Sequence, residues 1–285
     1  MKIGCINSYL LQNVKGKIGL VFAVASGILT FFDVNQSVKN TILISAIIIS
    51  LLIYISNLIF ANLMSFTTFK MGDSEVSVQK GDIFSSKIYN NHDYIKVFAF
   101  NEYFDTQVDD KIISKRSLNG QFILKNGIDV NLLNEAIHSD IRLNDQHKIA
   151  EQSDRTLGNK IQYELGSIFT YKDDIFLTAL THFNKYDQAY LSMQDYVRFL
   201  INFWDEIDSL YAGRTVVITL FGSGITRLDD RSYNNTQILD TILWTFRLRR
   251  IKFKKPTKLI ILLDRDTNQK INYYKIKDRF YGLQE

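Results

Sequence analysis

Thr215–Arg227 reads TVVITLFGSGITR. Thr215–Phe221 is dense in β-branched and apolar residues, the composition of a strand buried on both faces. It stops at Gly222-Ser223-Gly224 and runs on through Ile225 and Thr226 to Arg227. Two glycines one residue apart let successive backbone N–H groups turn inward as an anion nest. Ser223 and Thr226 add hydroxyl donors, and Arg227 adds a charge. A phosphate or pyrophosphate suits such a turn; the same residues also make an ordinary tight turn. A strand of this kind belongs in an α/β sheet, where ligands bind beyond the carboxyl ends of the strands.

Outward from this segment, Lys258–Leu263 (KLIILL) has the same doubly buried character. Tyr94–Asn101 (YIKVFAFN), Ile175–Phe183 (IFLTALTHF) and Val76–Lys80 are further strands, and Lys270–Ile276 is the last strand candidate. A helix opens at Ser192, with Asp195 completing a capping box, and carries Val197, Leu200, Phe203 and Ile207 at helical spacing before Gly213 stops it. A second runs from about Asn235 to Ile251. Alternation of strands and helices predicts an α/β sandwich with largely parallel strands. Residues 125–165 are polar and take no assignment. Pro256, the sole proline, lies in the connection from the second helix to Lys258.

Three more strand ends carry chemistry-bearing residues. Asn101, Glu102 and Asp105 are suited to a ribose or polar head group, with Tyr103 or Phe104 to stack; the same run also reads as a loop with a capping aspartate. Asp82, in Gly81-Asp82-Ile83-Phe84, either accepts from an exocyclic amine or caps the next turn. Thr181-His182-Phe183-Asn184 is the last. The chain has no G-x-x-x-x-G-K-[ST], no G-x-S-x-G, and Arg227 replaces the third glycine of G-x-G-x-x-G. Its 4 histidines lack metal spacing, and its 1 cysteine permits no internal disulfide. No metal site is expected.

The N-terminal portion is of another kind. Residues 40–69 contain no charged side chain, and Thr41–Phe66 is rich in Ile and Leu. A bilayer core takes ~20 apolar residues as a helix, so this run is long enough to span one; the alternative is a buried core helix, which rarely runs this long without a charge. Ile18–Phe32 is a shorter uncharged run; at ~1.5 Å per residue it is brief for the hydrocarbon. It carries Gly19, Ala23 and Gly27 at four-residue spacing, a pattern for close helix packing in membranes. A cleaved signal peptide is the rival, but VNQSVKN lacks a small-residue cleavage site and a stronger apolar run comes at once. Two membrane helices, about 18–34 and 41–65, are therefore expected within residues 1–70, ahead of a soluble domain over 71–285. Lys2, Lys15, Lys17 and Lys70 flank the hairpin and put both termini in the cytoplasm.

Residues 1–65 hold 4 Lys and 1 Asp, which leaves 30 basic and 29 acidic residues, a net +1, in the remainder. Net charge therefore gives nucleic-acid binding no support. Arg247, Arg249, Arg250, Lys252, Lys254, Lys255 and Lys258 form a basic cluster, read either as a solvated helix terminus or as a contact for anionic lipid near the membrane helices.

Taken together, G-D-I-F, then F-N-E-Y-F-D-T-Q-V-D-D-K-I-I-S, then F-W-D-E-I-D-S-L-Y-A-G-R, then F-G-S-G-I-T-R resemble the macro-like domain of Thoeris antiphage defence effectors. The hairpin ahead of them is similar to the membrane-spanning type of those effectors. The resemblance implies a macro-like three-layer α/β/α sandwich that senses a modified ADP-ribose, made from NAD by a partner TIR-domain enzyme. For the membrane type the ligand is a histidine conjugate of ADP-ribose. By that resemblance Asp82 and Ile83 meet the adenine. Asn101, Glu102, Phe104 and Asp105 line the distal ribose and its substituent. Gly222, Ser223, Gly224, Ile225 and Thr226 cradle the diphosphate, with Arg227 beside them. It further implies a multi-pass protein of the inner cell membrane with a cytoplasmic sensor, a homo-oligomer whose ligand binding triggers membrane disruption. No cofactor and no catalytic residue is implied, because F-N-E-Y-F replaces the N-A-A-N-like loop of hydrolytic macrodomains. The alternative is a membrane-anchored hydrolase of an ADP-ribose derivative with Glu102 and Asp105 as catalysts.

Overall fold

The computed structural model describes residues 4–184, 186, 188–224, 227–228, 232–249 and 258–281. It opens with two long helices, α1 (Ser8–Phe31) and α2 (Gln36–Leu63). Asn35 caps α2 by accepting the Val38 amide at 3.0 Å. Each helix is long and apolar enough to cross a membrane, and only 11% and 6% of their most apolar windows are buried within the protein. A buried core helix is therefore not what these segments form. The first helix begins ten residues before the predicted Ile18, and the added turns carry Gln12, Asn13, Lys15 and Lys17.

The remainder is an α/β domain. After β1 (Phe66–Met71) and β2 (Ser74–Lys80) come α3 (Ser86–Tyr89), β3 (Tyr94–Asn101), α4 (Leu118–Lys125), α5 (Val130–Ser139) and α6 (Ile141–His147). A small antiparallel pair, β4 (Lys148–Glu151) and β5 (Ile161–Tyr163), precedes β6 (Ile168–Tyr171), β7 (Ile175–Phe183) and β8 (Ala189–Leu191). The chain ends with α7 (Met193–Leu210), β9 (Thr215–Thr219), β10 (Arg227–Leu228), α8 (Asn235–Arg249), β11 (Lys258–Leu263), α9 (Arg265–Lys270) and α10 (Tyr273–Tyr281). The large sheet has the order β1-β2-β11-β9-β3-β7-β8-β10, with β6 also on β7. Its centre, β2-β11-β9-β3-β7, is parallel. β1, β6 and β8 pair antiparallel at the margins, so the sheet is mixed.

Alternate residues of each central strand feed opposite layers, as the pleat requires. Val216, Ile218, Leu259 and Ile261 face α7, α8 and α10, where Phe199, Phe203, Trp204 and Ile242 fill one core. Val217, Ile260, Phe98 and Leu177 face α4, α5 and α6, where Phe122, Ile137 and Leu143 fill the other. This is the predicted α/β/α sandwich.

One strand assignment is corrected. Lys270 ends α9, and Tyr273–Tyr281 is helical. Tyr273, Ile276 and Phe280 are buried in the core at helical spacing, and the Asn272 side chain accepts the Lys275 amide at 2.9 Å. Burial of that stripe outweighs the β-favouring residues of the segment.

The β1–β2 register fixes where the long helices attach. Phe66 lies opposite Gln79, and Met71 opposite Ser74. The helical hairpin thus joins the sheet at the carboxyl end of its parallel strands. Lys258 begins β11 at the other end, ion-paired with Glu75 at 2.7 Å, and Arg249 is paired with Asp205. Arg250, Lys252, Lys254 and Lys255 of the basic cluster lie outside the described residues; Lys258 and Arg249, which are described, are engaged by carboxylates of the soluble domain.

Candidate functional site

Two of the sequence-selected turns meet in one cleft at the carboxyl ends of the strands. It encloses about 740 Å³ and is walled by Gly81-Asp82-Ile83-Phe84 after β2, Leu220–Gly224 after β9, and Asp264-Arg265 after β11. Its opposite wall is Arg116–Asn119, at the entry to α4, and Ala99 and Leu180 lie within it.

Local chemistry sets each wall. The Gly81 amide donates to Leu263 O at 3.1 Å, and a Cβ at Gly81 would come within 2.6 Å of Leu262 Cδ2. A larger residue here would have to displace the Leu262 side chain. Asp82 accepts the Phe84 amide at 2.9 Å, so it caps its own turn while its side chain stays exposed; Ile83 is buried. Across the cleft Gly222 has φ +81°, a left-handed conformation favoured by glycine. The Ser223 amide and hydroxyl both donate to Leu220 O, at 3.3 and 2.6 Å. The hydroxyl therefore closes the turn, rather than standing free as a donor. A Cβ at Gly224 meets nothing within 4 Å, so the backbone there is open to approach. Ile225 and Thr226 lie outside the described residues, as does the Arg227 side chain; the Arg227 backbone starts β10 beside Tyr190.

A smaller recess of about 110 Å³ continues from the cleft, sharing Ala99, Ser117, Asn119 and Leu180 with it and adding Asn101, Ser114, Thr181 and Phe183. Its floor is rigidly made. Ser117 accepts the Gly120 amide at 3.2 Å and donates to Ser114 O at 2.5 Å. A Cβ at Gly120 would strike Ser114 O at 2.3 Å, so glycine is required for that closure.

Asn101 reaches this recess; Glu102, Phe104 and Asp105 do not line either space. Phe104, with φ +48°, has no exposed surface and packs edge-on to Tyr163. Asp105 is wholly buried and accepts from Arg155 Nη2 at 2.6 Å, the Asn159 amide at 2.7 Å and Asn101 Nδ2 at 2.8 Å. Arg155 also stacks 3.9 Å from the Tyr103 ring centroid. Glu102 accepts from the Phe183 amide at 3.0 Å and from Gln162 at 2.8 Å, and pairs with His182 Nδ1 at 2.7 Å. That bond raises the His182 pKa above its ordinary value; burial opposes it, and Asp195 adds to the rise. These carboxylates brace the strand ends behind the recess.

Sequence reasoning did not single out Arg116, Asn119 or Arg265. A charged residue after a strand, Arg265 after Asp264, was a usable signal; Arg116 had none, because it reaches the cleft only through the long β3–α4 connection.

Another cavity, about 480 Å³, lies at the amino end of the strands around Tyr89, His92, Leu132, Tyr171 and Asp174. Behind it, fully buried Lys96 donates to Asp174 at 2.7 Å and to Asn91 O at 3.1 Å. Burial raises the Asp174 pKa, but the bonds from Lys96 and His92 outweigh it and hold the carboxyl below its usual range. This pair ties β3 to the β6–β7 turn. It lies opposite the strand ends at which an α/β sheet presents ligands, so the 740 Å³ cleft is the better site.

A profile of the macro domain of Thoeris protein ThsA matches residues 76–264. The Bacillus amyloliquefaciens (strain Y2) Thoeris protein ThsA is 40% identical over 257 residues, covering 89% of this chain and 84% of that protein. The chain belongs to the Thoeris ThsA family. The matched span of this ThsA-family chain runs from β2 to the end of β11 and so contains every wall of the cleft except Arg265. Among solved structures, a mutant Oceanobacillus iheyensis macrodomain with ADPR is similar at 11% identity and TM-score 0.48, covering 76% of this chain and 98% of that one. The same macrodomain with MES bound gives 11% identity and TM-score 0.47, covering 76% and 96%.

Proposed function

We propose that this chain is a membrane effector of Thoeris antiphage defence, whose macro domain senses an ADP-ribose derivative without consuming it. The observation that carries the reading is the joining of Asp82-Ile83 and Gly222–Gly224 in one cleft, at the sheet end from which the apolar hairpin leaves. A cleft of about 740 Å³ is of nucleotide size. In this reading the adenine lies toward Asp82 and Ile83, and the diphosphate toward the Gly222–Thr226 backbone with Arg227 beside it. The distal ribose and its substituent, a histidine in the favoured ligand, lie toward Asn101. Glu102, Phe104 and Asp105 then act by holding that wall in place. The ligand is the diffusible product of a TIR-domain enzyme.

The hairpin supports an assembling membrane device. Gly19 and Ala23 are exposed, and a Cβ at Gly19 or Gly27 meets nothing within 4 Å, so this small-residue stripe is not occupied by α2. Copies in the inner membrane, with sensors in the cytoplasm, associate through it and breach the bilayer. Binding drives this only as far as the ligand prefers the assembled state.

A hydrolase is the competing reading. Its candidate catalysts, Glu102 and Asp105, are both engaged behind the recess, which favours sensing. Calorimetric titration of the full chain in nanodiscs with ADP-ribose and its histidine conjugate, then chromatography of the recovered ligand, separates the two. The sensor reading expects the conjugate to bind and return intact. Breakdown during incubation establishes the hydrolase, and lack of binding by both compounds removes the cleft from either role.

A further inference from the structure

The chain leaves the cleft by a route that ends at the hairpin. Asp264 closes β11 and caps α9, accepting the Asp266 and Thr267 amides at 2.9 and 3.0 Å. Asp264 and Arg265 both line the cleft. The Arg265 side chain is exposed and enters no hydrogen bond or ion pair with another described residue. A cation so placed, at the rim of a cleft with a glycine-rich backbone wall, is suited to the anionic part of a ligand; a guanidinium fork matches phosphate oxygens in pairs.

Beyond Arg265 the chain is firmly connected. Thr267 accepts from Asn235 of α8 at 2.8 Å, and the buried Tyr273 hydroxyl bonds Asn268. α10 is wedged between two bodies. On one side Phe280 stacks on Phe69 of β1, with ring centroids 5.8 Å apart. On the other, Tyr274 packs in a cluster with Leu10 and Val14 of α1 and Ala61 of α2. A displacement of α9 therefore reaches the base of the hairpin through packed side chains, with no flexible linker between.

We propose that Arg265 is a further ligand-binding residue, contacting a phosphate of the bound nucleotide, and that its occupancy is passed along α9 and α10 to the hairpin at Tyr274. This rests on the reading of the cleft as an ADP-ribose-derivative site. A ligand held by Arg265 favours whichever position of α9 brings the guanidinium to the phosphate, and Tyr274 makes that position a bias on the helices.

The test uses the full chain in lipid nanodiscs, with the histidine conjugate of ADP-ribose as probe. Two quantities are read: the calorimetric Kd, and the rate at which a maleimide labels Cys5. Cys5 is the sole cysteine and is exposed, and its carbonyl accepts from Tyr54 of α2 at 2.5 Å, so it reports on the hairpin base. In the unsubstituted chain, saturating probe changes the labelling rate. Arg265→Gln weakens binding about tenfold or more, the loss typical of a charge-assisted hydrogen bond. Arg265→Lys is intermediate. Tyr274→Ala binds like the unsubstituted chain, but its labelling rate no longer responds. Val14→Ala loosens the same contact from the hairpin side and serves if Tyr274→Ala does not fold.

Unchanged affinity in Arg265→Gln overturns the binding role. Binding without a labelling response in the unsubstituted chain, or a full response in the Tyr274 and Val14 variants, overturns the route. Absence of binding by the unsubstituted chain overturns the ADP-ribose reading itself, and this inference with it.

Discussion

Asp105 has no exposed surface and is held by Arg155, Asn159 and Asn101. The loop carrying Arg155 and Asn159 is closed over it so tightly that a Cβ at Gly158 would come within 2.2 Å of Asp105 Oδ1. Asp105→Ala leaves the Arg155 guanidinium, largely buried, without its carboxylate. The expected cost is about 3 kcal/mol or more, read as a lower midpoint in chemical denaturation; a loss below about 1 kcal/mol would mean that the pair does not brace this wall. His182 makes a separate, pH-dependent contribution. Its pKa is raised in the folded chain, chiefly by Glu102. Its stabilisation is therefore fully present below about pH 6.5, the unfolded value, and is lost as pH rises through the folded value. The stability advantage over His182→Gln should be greatest at acid pH and shrink as pH rises above about 6.5, the ordinary imidazole value. A constant difference over that range would show that the Glu102 contact does not depend on the imidazolium.

At the scale of elements, α1 keeps Gly19 and Ala23 away from α2, which contacts it elsewhere. Ala23→Ile fills that open stripe with a branched side chain. Membrane leakage should fall severalfold while nucleotide affinity stays within about twofold, because the stripe makes no contact with the cleft. Unaltered leakage would shift the assembling face to another side of the hairpin. The same scale shows what the residues disclose by themselves. Thr215–Phe221 and Lys258–Leu263 are legible because strands buried on both faces need unbroken apolar runs. α7 is legible because a cap and a helical stripe coincide, and Ser192 does accept the Asp195 amide at 3.0 Å. β1 goes unread because its start merges with the apolar tail of α2. Lys270–Ile276 misleads because its tyrosines and isoleucines favour a strand until packing selects a helix. The cleft is legible only in part. Glycine turns announce themselves by type, whereas nothing local says whether Glu102 and Asp105 face a ligand or, as they do, His182 and Arg155. Nothing local brings Arg116 across to Gly222 either; that requires the finished sandwich.

For the whole molecule, the decisive feature is that sensor cleft and hairpin share one end of the sheet. α10 follows the cleft's third wall and packs on β1 through Phe280 and on the hairpin base through Tyr274, which is the path along which occupancy is proposed to reach the helices. The direct measurement is dye release from proteoliposomes carrying the full chain, on addition of the histidine conjugate of ADP-ribose. The comparison is Gly224→Trp, which puts a bulky side chain on the wall that Gly224 contributes to the cleft. The account predicts rapid, dose-dependent release from the unsubstituted chain and none from Gly224→Trp, with both proteins inserted equally. Equal release from the two, or release that ignores the nucleotide, would contradict it.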